Sequence, residues 1–274
     1  MNSSFIIIQP DLFTESADLF IGIKRQAFSF IIMENNICLG MASFHFKNAD
    51  TDESTASSVY DLIAANPLLE QRFNKTHIIY DYTPSVMVPD QYMSGNENRA
   101  MLELVYGDQR DAVIRNDYLS RHWIHNIYSI PSPVDAVMTR YFSWATCSHL
   151  FSLLPDIIQS GGNHLYCILD TEQLTVLLQK DGKLQLTQHF SFKTPEDVAY
   201  HLLNICTNFE VNVKEVSVHI TGMIDADSAL YKELYKYFLN IIFEGLPAAF
   251  QYPEQINEYP AHYFSHLFAI AACV

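Results

Sequence analysis

The fold class this sequence predicts is α/β, arranged as two tandem units that each open with three antiparallel strands. Three observations predict it. Displacing the chain by 146 positions lays residues 19–46 (LFIGIKRQAFSFIIMENNICLGMASFHF) over residues 165–192 (LYCILDTEQLTVLLQKDGKLQLTQHFSF) without a gap. Apolar runs then cover apolar runs, and Asn35-Asn36 falls on Asp181-Gly182. Both dipeptides tolerate the positive φ that a two-residue hairpin turn demands. Finally, Gly161-Gly162 stands between the copies, where a helix can end and the second half begin.

The elements follow in order. Residues 18–24 and 27–33 are apolar, with β-branched and aromatic side chains, and Lys24-Arg25-Gln26 supplies the polar turn between them. Residues 37–46 complete the first three strands. An acidic loop over 47–58 leads into a helix predicted over 56–72, where Val59, Leu62, Ile63, Leu68 and Leu69 share one face. A strand is predicted over 76–82, a loop over 89–98 and a short helix over 97–106. Strands over 112–115 and 123–130 follow, then Pro131 and Pro133 before one long helix over 134–159. In the second half, strands are predicted over 165–169, 174–179 and 184–192. Thr194-Pro195-Glu196-Asp197 then reads as a helix start: threonine as N-cap, proline at the first position, acids in the first turn. That helix runs to about 208. A strand over 216–221, a helix over 225–243, a short strand over 248–251 and a terminal helix over 259–272 complete the chain. The sequence thus divides into a first lobe over 1–160 and a second over 161–274.

Bulk properties narrow the function. Hydrophobic residues make up 49% and charged ones 17%, a balance that supports packed cores. The net charge of −15 is spread over both halves, and no basic patch exists. Such a surface repels phosphate backbones, which excludes nucleic acid as the expected partner. No apolar run reaches the length of a membrane span, so no membrane insertion is expected. The opening MNSSFIIIQPD lacks the basic region of a signal peptide. Five widely spaced cysteines inside apolar runs read as buried free thiols, and the expected location is the cytoplasm.

The order β-β-β-α-β-α-β-α, twice, is that of a ribonuclease-H-like unit in tandem. On that order the chain resembles the actin, heat-shock chaperone and sugar kinase superfamily. More closely, it looks like an uncharacterised bacterial family of unknown function assigned an actin-like ATPase fold. It is also similar in layout to the actin-like proteins of pilus and secretion assembly. The resemblance implies two lobes around a cleft, with the first hairpin of each lobe carrying Asp-x-Gly. There the glycine lets backbone N–H groups reach phosphate, and the aspartate acts through hydrated Mg²⁺.

Here the first hairpin reads Ile23-Lys24-Arg25-Gln26-Ala27, with neither aspartate nor glycine. The second reads Leu169-Asp170-Thr171-Glu172-Gln173 and keeps an acid and a hydroxyl without glycine. The adenosine turn of the family would match Ile220-Thr221-Gly222-Met223, with one glycine where a pair is usual. Only nine glycines occur in the chain, and no Walker A or dinucleotide motif is present. If a nucleotide binds, the resemblance assigns it to Asp170, Thr171 and Gly222. Lys24 and Arg25 would meet the second hairpin, with Asp170 and Glu172, as opposite charges across the cleft. His122-x-x-His125 and His262-x-x-x-His266 lack a third ligand at a matching spacing, so no metal site is expected. The aromatic stripe Tyr231, Tyr235, Phe238 reads as core or, failing that, as a partner surface.

The expected function is a non-catalytic interaction or scaffold protein with degenerate nucleotide motifs, no bound cofactor and a protein partner. The alternatives are a divergent ATPase or small-molecule kinase using Mg-ATP, and a nucleotide or anion sensor without turnover, with Lys24 and Arg25 holding the anion.

Overall fold

The computed structural model describes residues 2–9, 15–47, 49–93, 95, 97–157 and 161–273. The chain divides into two compact units, Met1–Leu153 with Ala249–Ile256, and Leu154–Ala248 with Asn257–Val274.

The first unit opens with β1 (Asn2–Ile8), a strand absent from the sequence reading. β2 (Asp18–Lys24), β3 (Ala27–Glu34) and β4 (Ile37–His45) follow. Asn35 and Asn36 take φ of 46° and 66°, the left-handed pair that lets a two-residue turn match strand twist. Helix α1 (Asp52–Ala64) starts at a capping box in which Thr51 and Ser54 satisfy each other's backbone. It stops well before residue 72 because Pro67 forces Asn66 out of the helical region, to φ −121° and ψ 86°. Pro67–Glu70 forms only a 3₁₀ turn. β5 (Lys75–Tyr80) then pairs parallel to β2.

Next comes an inserted sheet: β6 (Ser85–Pro89), helix α2 (Asn98–Tyr106), β7 (Ala112–Leu119) and β8 (Ile124–Pro131), in the order β6-β8-β7. The expected long helix over 134–159 is a correction. α3 (Ser132–Tyr141) ends at Phe142, β9 (Thr146–His149) pairs parallel to β5, and α4 (Leu150–Ile157) follows. Residues 158–160 lie outside the described residues. Over 146–149 the pattern fits helix and strand alike, and pairing with β5 decides in favour of a strand. The main sheet runs β1-β4-β3-β2-β5-β9. Its core joins Leu19, Ile21, Ile23, Phe28, Phe30 and Ile32 to Val59, Leu62 and Ile63 of α1 and to Val134 and Met138 of α3.

The second unit holds β10 (His164–Leu169), β11 (Gln173–Lys180), β12 (Lys183–Ser191), α5 (Pro195–Asn208) and β13 (Ser217–Gly222). α6 (Ala229–Leu234), β14 (Asn240–Phe243) and α7 (Ser265–Ala271) complete it. The sheet order is β12-β11-β10-β13-β14. The single helix expected over 225–243 is therefore also corrected. It ends at Leu234, Tyr235 is exposed while Phe238 is buried, and the β-branched pair Ile241-Ile242 joins the sheet. The short strand expected over 248–251 is reduced to one bridge, Gln251 to Ile37. The terminal helix over 259–272 is divided into a 3₁₀ turn (Ala261–Tyr263) and α7.

The two units share their hairpin register to the residue. Asp18 faces Met33 and Ala27 faces His45, while His164 faces Gln179 and Gln173 faces Ser191, every member displaced by 146. A bulge falls at Ile32/Met33 in one and at Leu178/Gln179 in the other, again 146 apart. The core positions correspond as well: Leu165, Cys167, Leu169, Leu174, Val176 and Leu178 are all buried.

α5 is capped as the sequence predicts. Thr194 and Asp197 form a reciprocal capping box with Pro195 at the first helical position. Thr194→Ala removes one acceptor for an orphan N–H, and about 1 kcal/mol of stability is expected to be lost in urea titration.

Candidate functional site

The candidate residues fall at the carboxyl ends of the central strands of each unit, where open α/β sheets place their ligands. Lys24 and Arg25 belong to the first unit, and Asp170, Thr171, Glu172 and Gly222 to the second.

In the first unit, Lys24 pairs with Ala27 across a turn of Arg25 and Gln26, neither of which takes positive φ. This turn needs no glycine. Arg25 reaches the start of α1: Nη1 donates to the Asp50 carbonyl at 3.0 Å and Nη2 to Asp52 Oδ1 at 2.8 Å. The Arg25 carbonyl accepts from the buried Thr55 hydroxyl at 3.0 Å. Both ends of Arg25 are therefore tied to α1, and its charge is balanced within its own unit. Lys24 is half-buried, and that burial pulls its ammonium below the usual lysine range while Asp81 opposes the shift. Asp81 follows β5 directly, and its N–H donates to the Ile23 carbonyl at 2.9 Å. The sequence reading passed over Asp81. The available signal was its position, the first residue after the strand that pairs parallel to the first hairpin.

In the second unit, Asp170 sits at the end of β10. Its N–H donates to the Gln173 carbonyl at 2.9 Å, and its Oδ1 accepts the Thr171 N–H at 2.9 Å. The amide that a phosphate-cradling turn would present is thus taken by the turn's own carboxylate. Thr171 and Glu172 are exposed. The Glu172 carbonyl accepts from Phe192 N–H at 3.0 Å, as the Gln26 carbonyl accepts from Phe46 N–H at 2.8 Å, 146 positions earlier.

Gly222 ends β13 at φ +94°. A Cβ there would lie 2.1 Å from the Leu169 carbonyl oxygen, so only glycine lets β13 approach β10 this closely. The Met223 N–H then donates to that same oxygen at 2.7 Å. Beside it, the buried Thr221 hydroxyl donates to the His262 carbonyl at 2.8 Å and lies 2.7 Å from Ser265 Oγ and 3.0 Å from His266 Nδ1. His262 Nε2 donates to the Ile224 carbonyl at 2.6 Å, and the Tyr263 hydroxyl donates to Asp225. The segment around His262 therefore lies over the turn 221–225 and consumes its polar groups. This contact was invisible in sequence, because residues some 40 positions apart make it.

The two histidine pairs are also placed. His125 bonds Asn116 and Asp90, each at 3.0 Å, while His262 and His266 serve the turn just described. Cys147 lies in β9 and not on a helix, and burial pushes its thiol up. Among the described residues no group of three or more His, Cys, Asp or Glu side chains is placed to hold a metal ion.

Comparison with known proteins fits this geometry. A family model described as a protein of unknown function, DUF3822, matches residues 12–241. The chain belongs to the DUF3822 family. A search of curated proteins finds no match. Among solved structures, one similar protein is a Bacteroides thetaiotaomicron protein with an actin-like ATPase fold and unknown function. It is 15% identical, with 95% of this chain and 97% of that one covered and a TM-score of 0.78. The PilM-PilN type IV pilus biogenesis complex is 11% identical, with 94% and 98% covered and a TM-score of 0.63. The ethanolamine utilization protein EutJ from Carboxydothermus hydrogenoformans is 8% identical, with 97% and 93% covered and a TM-score of 0.52. This DUF3822 chain has the actin-like ATPase fold that its element order predicts.

Proposed function

We propose that this DUF3822 chain is a non-catalytic interaction or scaffold protein, with a protein partner, on an internally duplicated actin-like fold. The observation that carries the reading is the closed turn at Gly222. His262, Tyr263 and Ser265 occupy the hydrogen-bonding groups of residues 221–225 from within the same unit. Two further observations support it: Arg25 is neutralised by Asp52, and the Thr171 amide is taken by Asp170. Together they support the reading of a degenerate site, whose strands keep the framework of the fold while its turns are satisfied internally. The fold likeness to PilM, seen in a complex with PilN, supports a protein partner. The buried thiols of Cys38, Cys167 and Cys206 fit a reducing bacterial cytoplasm.

Thermal unfolding tests this against the rival readings, in which Asp170, Thr171 and Gly222 hold Mg-ATP or Lys24 and Arg25 hold an anion. Millimolar Mg-ATP or Mg-ADP is expected to leave the midpoint where Mg²⁺ alone leaves it. A ligand at a hundredfold excess over its Kd would add about 2.7 kcal/mol of stability. A nucleotide-dependent rise of that kind overturns the proposal and restores the ATPase, kinase or sensor reading.

A further inference from the structure

We propose that the outer edge of β1 is a self-association edge, pairing antiparallel with β1 of a second copy about a two-fold axis at Ile7. The argument begins with backbone valence. Among the described residues β1 is the terminal strand of its sheet and pairs only with β4. Phe5 faces Ser43, Ile6 faces Ala42, Ile7 faces Met41 and Ile8 faces Gly40. Beyond them, the Gln9 N–H donates to the Leu39 carbonyl at 3.0 Å. Antiparallel ladders alternate, so Phe5, Ile7 and Gln9 bond to β4 while Ile6 and Ile8 turn their N–H and C=O groups outward.

The same two residues expose their side chains. Ile6 is 54% and Ile8 40% exposed, whereas Ile7 between them is buried. An apolar edge that also offers unpaired backbone groups is a template for another strand unless charge, proline or a cover blunts it. Residues 2–9 (NSSFIIIQ) contain no charged side chain and no proline.

Charge and symmetry select the occupant. Two copies of a chain with net charge −15 repel each other over most of their surface. They can meet where β1 lies against β4, because neither strand holds an Asp, Glu, Lys or Arg. The outward groups sit symmetrically about Ile7. In the two-fold register Ile6 faces Ile8 of the second copy and Ile8 faces its Ile6. Every outward N–H then finds an outward C=O, and Ile7 falls opposite itself in a position that requires no cross-strand bond. The exposed isoleucines of both copies meet on one face, and two six-stranded sheets become one.

Sedimentation velocity of the full chain, from micromolar to submillimolar protein, tests this. Wild-type protein is expected to pass from monomer to dimer. Ile8→Pro deletes an outward N–H and no bond to β4, so it should raise the dimer dissociation constant at least tenfold while its unfolding midpoint matches wild type at dilutions where both are monomers. Ile6→Lys, which places an ammonium against Ile8 of the second copy, should do the same and serves if the proline variant fails to fold. A wild-type monomer at every concentration overturns the proposal. So does dimerisation of both variants at the wild-type level, or growth past the dimer into larger species.

Discussion

Gly222→Ala is expected to cost about 2–5 kcal/mol and to unravel the second unit before the first. Two penalties add. An L-residue at φ +94° sits outside its allowed regions, a cost of about 1–2 kcal/mol. The new methyl would also lie 2.1 Å from the Leu169 carbonyl oxygen, which is backbone and cannot swing aside. Relief requires β13 to separate from β10 at the point where Met223 donates to that oxygen, and overpacking of this kind costs about 1–3 kcal/mol more. Gly245→Ala supplies the contrast. A Cβ at Gly245 meets nothing within 4 Å and its φ is not positive, so near-neutral stability is expected there. Hydrogen exchange at β10 and β13 should show early opening in Gly222→Ala while β2 and β5 of the first unit stay protected. An unfolding free energy within about 1 kcal/mol of wild type would remove the close-approach argument.

The parts of the fold that were legible in sequence are those fixed by local periodicity and turn chemistry. β2 to β4 and β10 to β12 fall where alternation and Asn35-Asn36 or Asp181-Gly182 place them, and the Thr194 cap is local in the same way. β9 and β14 were not legible. Each has four residues, too few to establish a period, and each is a strand because a parallel neighbour receives it. The same limit applies to the site. Gly222 could be found from the turn pattern, but the closure over it depends on His262, Tyr263 and Ser265, which reach the turn only in the folded unit. Arg25 could be read as a free cation until α1 put Asp52 beside it.

Asp117→Ala is expected to lose about 3 kcal/mol, whereas Asp117→Asn should stay within about 1 kcal/mol of wild type. Asp117 lies in β7 of the inserted sheet and joins it to the main sheet of the first unit. Its Oδ2 accepts the Ser152 hydroxyl of α4 at 2.6 Å and the His149 N–H of β9 at 2.8 Å, and its Oδ1 accepts the Tyr128 hydroxyl at 3.2 Å. The chain of bonds continues from Asn126 Nδ2 to Ser152 Oγ at 2.9 Å and from Ser85 Oγ to Asn126 Oδ1 at 2.6 Å. His149 is locked beside it: Nδ1 accepts the Phe151 N–H at 3.0 Å, so Nε2 carries the proton donated to the Tyr82 carbonyl at 2.8 Å. Alanine would strand three donors in a site where water is scarce, each costing about 1 kcal/mol or more. Asparagine can keep its oxygen toward Ser152 and His149 and donate its amide to Tyr128 Oη, so only the Tyr128 hydroxyl proton loses its acceptor, at a cost of about 1 kcal/mol.

The pH dependence has a definite sign. Burial raises the Asp117 carboxyl above the usual range, and the hydrogen bonds from Ser152, His149 and Tyr128 only partly counter it. The folded protein therefore takes up this proton before the unfolded chain does as pH falls. Relative to Asp117→Asn, wild type should gain stability as pH drops through the folded value, with the gain complete below the unfolded one. Urea titrations of both proteins from neutral to acid pH measure that difference directly. A wild-type advantage that shrinks on acidification would mean the carboxylate is held by its donors more strongly than burial opposes it. In that case the anchor of the inserted sheet is the charge itself, and Asp117→Asn should fail alongside Asp117→Ala.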